Sequence, residues 1–271
     1  MSDQIIGMQE WFGTPPGRYL LAWERAEFER AVSDIFGYHA LQLGLPGLNA
    51  LRANRMPHKW LALSSSRPST GFSQGQGALA DGPAVPTLVT DFAALPFEEN
   101  SLDLVVLPHS LELNADPHAT LREVGRVLVP EGKVVICCLN PASLWGLRQR
   151  RAHLYRRFGF GELFLPGAGE FIGYWRLRDW LRLLSFEVEA GSFGCYRPAL
   201  RSDKWLHRYE WMDGVGERWW PIFGSVYFLV AVKRVRGAKL IGPAWRASTA
   251  IATAPVPMAN RGQTSPMKER M

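Results

Sequence analysis

The chain has 271 residues, 47% of them hydrophobic, which is enough for one large domain with a buried core, and a formal net charge of +6. Five arginines are concentrated in 148–157 and most of the remaining charge is mixed in sign, so the composition disfavours a protein that binds nucleic acid over its whole surface. No run approaches about 18 apolar residues and the first thirty residues lack a signal-peptide core, so we expect no membrane span. Because three cysteines are too few for a disulfide framework, we expect a reducing, cytoplasmic location.

The hydrophobic pattern predicts alternating helices and strands. After an irregular lead at 1–16, where Trp11 and Phe12 are candidate anchors, apolar residues at helical spacing predict an amphipathic helix at 17–36, with Glu24 and Glu27 largely on its polar side. Apolar runs predict strands at 38–43, 59–64, 86–91, 102–107, 133–139 and 225–234. Residues 64–84, rich in Ser, Gly and Pro, predict a long flexible loop.

A strand, a helix and a strand in the middle of the chain form the clearest unit. Asp116 is a candidate N-cap and Pro117 suits the first helical turn, while Pro130 and Gly132 end the helix. The next strand, 133–139, completes a βαβ unit with a right-handed crossover.

Beyond this unit the pattern predicts a helix over 141–157, then a helix and a strand over 176–193. We therefore expect a lead and helix at 1–37, one α/β domain at 38–236 and a disordered tail at 237–271.

Several short motifs follow one another between residues 90 and 141. Asp91 to Phe97 read D-x-x-x-L-P-F, 101–105 read S-L-D-L-V, 121–128 read L-R-E-x-x-R-V-L, and P-E-G follows at 130–132. In order and spacing they resemble the type-11 methyltransferase domain of class I S-adenosylmethionine-dependent methyltransferases. The whole-chain pattern, including NPASLWGLR, resembles an uncharacterised bacterial branch of that family. The resemblance implies a Rossmann-like α/β fold, mostly parallel sheet with helices on both faces, and S-adenosylmethionine as cofactor.

The resemblance also implies where the cofactor lies. Asp91 would accept from the adenine amine and Phe92 would pack near the ring, although Asp91 equally suits the cap of a short turn. Gly44 would lie beneath the methionine part, and Pro108 and His109 would border the reacting centre. His109 is a candidate general base, or else a rim residue bonded to backbone.

Two positions depart from the family's pattern. The turn LQLGLPGLN keeps Gly44 but has Leu45 and Pro46 where small residues are expected, and Gln42 stands near the usual acidic position. After the second strand only serines, of which Ser64 is the first, are available for the ribose hydroxyls. Nor does any histidine or cysteine spacing indicate a metal site.

The leading hypothesis is thus a methyltransferase acting on a small or lipid-like acceptor. The alternative is a catalytically silent, methyltransferase-like scaffold that binds a protein or membrane partner through Trp- and Arg-rich surfaces. The four tryptophans of 201–221 form an aromatic wall over a substrate, contact membrane headgroups, or cover the sheet edge. The arginines of 148–157 indicate either a solvated helix face or peripheral contact with a membrane or a nucleic acid, the last being a third, weaker hypothesis.

Overall fold

The computed structural model describes residues 7–8, 10–64, 87–156, 164–165 and 171–235. The predicted flexible loop, apart from Ser64, and the predicted disordered tail lie outside these residues. The domain boundaries at 37/38 and 236/237 stay predictions.

The described residues form one seven-stranded sheet. Its strands are β1 (His39–Leu43), β2 (His58–Ser64), β3 (Thr87–Thr90), β4 (Leu102–Pro108), β5 (Leu128–Leu139), β6 (Phe186–Gly194) and β7 (Val226–Lys233). The spatial order is β3-β2-β1-β4-β5-β7-β6. Strands β1 to β5 are parallel, whereas β7 runs antiparallel to both β5 and β6, so the predicted mostly parallel sheet is confirmed.

Helices flank the sheet on both faces. They are α1 (Pro15–Ser33), α2 (Ser110–Leu113), α3 (Pro117–Val127), α4 (Leu144–Arg156), α5 (Tyr174–Leu183), α6 (Asp203–Arg208) and α7 (Trp211–Trp219), followed by a 3₁₀ turn at Pro221–Phe223. One core layer contains Leu20 and Phe28 of α1, and the other contains Leu121 and Val124 of α3. No helix among the described residues is both long and apolar enough to cross a membrane.

Local sequence explains the ends of α3. The carboxylate of Asp116 accepts from the amide of Ala119 at 2.9 Å, and Pro117 occupies the first turn, as predicted. The helix ends at Val127 rather than near Gly132, and β5 begins at Leu128 instead of residue 133. Pro130 explains the difference, because proline disfavours a helical conformation in the residue before it and so favours extended chain there.

The polar side of α1 differs from the prediction. Glu24 and Glu27 are buried, whereas the sequence pattern placed them largely on the solvent side. Both positions share the inward face with Leu20 and Phe28, four residues on either side of Glu24. An acid at a core-facing position requires a buried partner, which α1 alone does not supply.

The carboxyl ends of the parallel strands meet at one edge of the sheet, here called the carboxyl edge. Leu43 of β1 pairs with Ala62, and Ser64 of β2 pairs with Thr90 of β3. Because β7 is reversed, its first residue, Val226, pairs with both Leu139 and Gly194, the last residues of β5 and β6. The chain between β6 and β7 therefore also emerges at the carboxyl edge.

Candidate functional site

The turn after β1 is held by the side chain of Gln42 rather than by a series of glycines. Its amide nitrogen donates to the carbonyls of Gly44 (3.2 Å), Leu45 (3.1 Å) and Leu48 (2.6 Å). Its oxygen accepts from the amide of Ala50 at 3.0 Å. The departure from the usual acidic residue thus has a structural reason, since a carboxylate could not donate to these three carbonyls.

Gly44 lies at the carboxyl edge, where the end of β1, the start of α2 and the chain after β3 come together. Its φ is +73°, a conformation that favours glycine. A β-carbon at this position would lie 3.2 Å from the hydroxyl of Ser110 and 3.8 Å from the ring of Phe92. The Ser110 hydroxyl donates to the carbonyl of Leu43, the last residue of β1. The structure therefore places Gly44 and Phe92 side by side at this edge of the sheet.

Asp91 and Ser64 lie at neighbouring strand ends. Asp91 is exposed, and its Oδ1 accepts from the amide of Ala93 at 2.9 Å, so it does cap a turn. Its Oδ2 has no hydrogen-bond partner within the described ranges, and the side chain is therefore still able to accept a bond from a ligand. Ser64 is half-buried beside Thr90, the residue that precedes Asp91.

Pro108 and His109 end β4 in the interior of the protein. Pro108 is buried, and its carbonyl accepts from Ser110 Oγ at 3.2 Å. His109 is fully buried and has a φ of +53°, a left-handed conformation that is uncommon for residues other than glycine. The predicted alternatives for His109, a general base or a rim residue bonded to backbone, both assumed an accessible ring. Its ring instead contacts side chains from two other elements.

Two buried carboxylates hold the imidazole of His109. Nε2 lies 2.6 Å from Oε1 of Glu24, and Nδ1 is hydrogen-bonded to Oε1 of Glu112. Both Glu112 oxygens also accept from the amide of Leu139, at 3.1 and 3.2 Å. The group of Glu24, His109 and Glu112, here called the buried triad, joins α1, α2 and the ends of β4 and β5.

The charges of the triad determine the protonation of His109. Burial alone would lower the pKa of the imidazole, but the negative charges of Glu24 and Glu112 outweigh burial and raise the pKa to about 10. The ring is therefore an imidazolium at neutral pH and donates from both nitrogens. A general-base role, which stays a prediction, would first require transfer of a proton to one of the two carboxylates.

One oxygen of the triad is unsatisfied. Oε2 of Glu24 is buried and has no hydrogen-bond partner in the part of the chain that the structure describes. Such an atom costs roughly 1–3 kcal/mol, or more when charged, unless a ligand or water bonds to it. It is the clearest feature of the site that points to a bound group.

The cluster is less suited to a metal ion. Glu24, His109 and Cys137 offer ligand atoms that lie within 4.8 Å of one another. However, the imidazole nitrogen lies only 2.6 Å from the carboxylate oxygen, the length of a direct hydrogen bond. Two ligands of one tetrahedral zinc, each about 2.0 Å from it, would lie about 3.3 Å apart. The geometry favours an ion pair between the two side chains.

One aromatic ring lies beside the triad, and its neighbour in the N-terminal segment belongs to a cluster of further rings. The ring of Phe12 lies 6.4 Å from that of His109. Trp11 contacts Trp145 edge-on at 5.8 Å, and Trp145 lies 5.4 Å from Phe164. The indole nitrogen of Trp11 donates to the carbonyl of Phe164 at 2.9 Å. We call Trp11, Phe12, Trp145 and Phe164 the aromatic box.

Sequence reasoning missed Glu24 and Ser110 as site residues. The available signal for Glu24 was its position four residues after Leu20 and four before Phe28 on a helix. Ser110 carried no local signal, because α2 is too short to show a periodic pattern.

Known proteins place the chain in a family. The family model described as "Methyltransferase domain" matches residues 45–136. The uncharacterized protein YafS of Escherichia coli is 39% identical over 185 residues, which are 68% of this chain and 67% of YafS. A demethylmenaquinone methyltransferase of Corynebacterium efficiens is 40% identical over 65 residues, which are 24% of this chain and 28% of that protein.

The fold agrees with this match. The structure of an S-adenosylmethionine-dependent methyltransferase from Thermotoga maritima has a TM-score of 0.53 and 16% identity, and the match covers 83% of this chain and 94% of the other. This likeness shows the class I methyltransferase fold. The chain therefore belongs to the class I S-adenosylmethionine-dependent methyltransferases of the type-11 domain family, and it is a methyltransferase whose cofactor is S-adenosylmethionine.

Proposed function

We propose that the protein transfers a methyl group to a small, apolar, quinone-like ring that carries a hydroxyl group. The observation that carries the proposal is the unpartnered Oε2 of Glu24, buried near the aromatic box. The demethylmenaquinone methyltransferase relative supports the same acceptor class, although it matches only a short part of the chain.

The residues at the carboxyl edge fit the cofactor. S-adenosylmethionine supplies an electrophilic methyl group on a sulfonium. We propose that Asp91 accepts from the adenine amine through Oδ2, and that the ring of Phe92 packs beside it. Gly44 lets the end of β1 lie close to Phe92 and Ser110, because it has no side chain at the point where they converge. Gly44 would lie beneath the methionine part, Ser64 would contact the ribose hydroxyls, and Pro108 would border the reacting centre.

The buried triad fits the acceptor. A hydroxyl on a planar ring can donate to Glu24 Oε2 while the ring packs against aromatic side chains such as Phe12. His109 bonds to the other oxygen of Glu24, so it positions the accepting group. Transfer of a methyl group to a hydroxyl-bearing ring requires that the hydroxyl proton be accepted, and we assign this role to the carboxylate of Glu24.

Methyl transfer to matched ring compounds tests this proposal. We expect tritium from labelled S-adenosylmethionine to enter a 1,4-naphthohydroquinone, kept reduced without oxygen, but not its dimethyl ether. Glu24→Gln should lower kcat at least about 100-fold, the lower range for a lost acid–base group, with unchanged affinity for S-adenosylhomocysteine. Glu29→Gln, on the exposed face of the same helix, is the control.

Equal labelling of the dimethyl ether, or full activity of the Glu24→Gln variant, would contradict this acceptor assignment.

The alternative of a catalytically silent scaffold finds no support in the family match or the similar structures, and two further predictions of the sequence remain untested. Contact of 148–157 with a membrane or a nucleic acid stays a prediction, as does a cytoplasmic location, which the three unpaired cysteines favour.

A further inference from the structure

Tryptophan side chains project outward from the segment between β6 and β7. Trp211 on α7 is 59% exposed and Trp219 is 74% exposed. Ile222 and Phe223 of the following 3₁₀ turn are also exposed. The rings of Trp211 and Trp219 therefore do not cover the sheet edge, which was one of the predicted alternatives. Large apolar side chains exposed together mark a contact surface rather than a core.

Cations accompany these rings. Lys204, Arg208 and Arg218 are exposed and form no ion pair within the described residues. Arg218 follows Trp211 by seven residues, two helical turns, so it lies on the same outward face of α7. The guanidinium of Arg208 lies 5.9 Å from the ring of Trp205.

Two acids of the same segment pair with arginines elsewhere in the chain. Asp203 pairs with Arg18 of α1 at 3.0 Å, on the surface. Asp213 accepts from Arg197 at 2.8 Å. Because Glu210 and Glu217 are also exposed, this segment carries no excess of positive charge, and its aromatic side chains rather than its net charge mark it as a contact surface.

Helix α4 presents a second surface of the same chemistry. Leu144, Leu147 and Leu154 are exposed, and Arg151 lies four residues after Leu147 on the same face. Trp145, on the opposite face, is buried and donates to the carbonyl of Arg197 at 2.8 Å. The helix is therefore anchored beside the chain that leads into α6, with leucines and arginines toward solvent.

Both surfaces begin at the carboxyl edge, where the proposed acceptor site lies. Asn140, directly after β5, donates from its side chain to the carbonyls of Ile222 and Gly224, at 2.7 and 2.9 Å. Trp145, whose neighbour Leu144 is exposed, is also part of the aromatic box. An apolar acceptor would thus meet the exposed surface and the buried triad on one side of the sheet.

We infer that α4 and residues 203–223 dock this protein on the surface of a lipid bilayer that contains anionic lipids. Tryptophan is favoured at the boundary between headgroups and hydrocarbon, arginine and lysine are attracted to anionic headgroups, and leucines partition into the bilayer. Nucleic acid would account for the arginines but not for exposed leucine. A bilayer would also be the place from which the protein takes an apolar acceptor, and in this respect the inference rests on the proposed function.

Sedimentation with lipid vesicles tests the inference on the full chain. We expect binding to vesicles of phosphatidylcholine with about one third phosphatidylglycerol, and weaker binding to phosphatidylcholine alone. The double variant Trp211→Ala/Trp219→Ala should bind roughly tenfold more weakly or worse, because two apolar rings are lost from the contact. Arg151→Gln/Arg218→Gln should lose roughly 30-fold, on anionic vesicles only.

Phe36→Ala is the matched control. Phe36 is 76% exposed but precedes β1, at the opposite edge of the sheet, and its removal should leave vesicle binding unchanged. Thermal unfolding with and without S-adenosylhomocysteine checks that every variant remains folded and binds cofactor. Absence of binding to either vesicle, equal binding by the tryptophan variant, an equal loss in Phe36→Ala, or tight binding to duplex DNA or RNA in place of vesicles would overturn the inference. A bound cofactor with no vesicle binding would overturn it while leaving the methyltransferase proposal intact.

Discussion

Glu24 of α1 and His109 at the end of β4 form a fully buried ion pair, with 2.6 Å between Oε1 and Nε2, although 85 residues separate them in sequence. The pair joins the N-terminal helix to the strand end that borders the proposed cofactor site. Removal of either partner would leave a buried charge unpaired, which typically costs about 3–5 kcal/mol. The N-terminal helix is therefore part of the site rather than a lead into the domain.

The buried triad predicts that stability falls as pH rises above neutrality. The pKa of His109 is about 10 in the folded protein and near 6.5 when the chain is unfolded. The folded state thus holds one more proton between these values, so this contribution is complete below about pH 6.5 and is lost toward pH 10. We expect the free energy of unfolding to fall by up to about 1.4 kcal/mol per pH unit between pH 6.5 and 8.5.

Urea unfolding at a series of pH values measures this slope. His109→Gln, if it folds, should remove most of it. A flat profile for the original protein over this window would contradict the assigned charges.

Gln42 provides a second prediction. Gln42→Glu would restore an acidic residue near the family's usual position, but its carboxylate would face three carbonyl oxygens that now accept hydrogen bonds. We expect this variant to lose roughly 3 kcal/mol or more of unfolding free energy, because the buried charge would keep only the amide of Ala50 as a donor. Gln42→Met, which removes the bonds without adding charge, should lose less. The reverse order in denaturant unfolding would show that the turn does not depend on the amide.

Asp91 is predicted to bind cofactor through the oxygen that makes no bond in the described structure. In Asp91→Asn the oxygen that caps Ala93 can remain, while the second acceptor becomes an amide donor. We expect unchanged stability without ligand. S-adenosylhomocysteine at 100 times its dissociation constant stabilises a fold by about 2.7 kcal/mol, and the resulting shift in melting temperature should shrink in the variant. The same shift in both proteins would place adenine elsewhere.

Gly44 and Gly214 should respond to alanine in opposite directions. At Gly44 a β-carbon would be strained by the φ of +73° and would meet Ser110 Oγ at 3.2 Å, so Gly44→Ala should destabilise by about 1 kcal/mol or more and weaken cofactor binding. At Gly214, inside α7, nothing lies within 4 Å of the added carbon, and Gly214→Ala should stabilise by up to about 1 kcal/mol. Equal effects in thermal unfolding would remove the special role assigned to Gly44.

The sequence predicted those parts of the fold that depend on residues close together in the chain. The capping of α3 by Asp116 and the strand positions around it follow from short motifs and from the order of parallel strands. Cys137 and Cys138, neighbours on β5, lie in different core layers, as the alternation of side chains along a strand requires.

The rest of the site depends on distant contacts. Burial of Glu24 is possible only because His109 supplies a cation from another strand, and no pattern within α1 contains that information. The helices α6 and α7 were not predicted, because tryptophan and charged residues at those positions do not form a clear apolar stripe.

The reversed direction of β7 has a consequence for how the protein can vary. The last residue of β6, Gly194, pairs with the first residue of β7, Val226. The intervening chain therefore leaves the sheet and returns to it at nearly one point. Such a segment can change in length and composition without altering strand register or the turn at Gly44. The surface proposed to dock on a bilayer is in this way separable from the turn proposed to hold the methyl donor, and each can be exchanged while the other is retained.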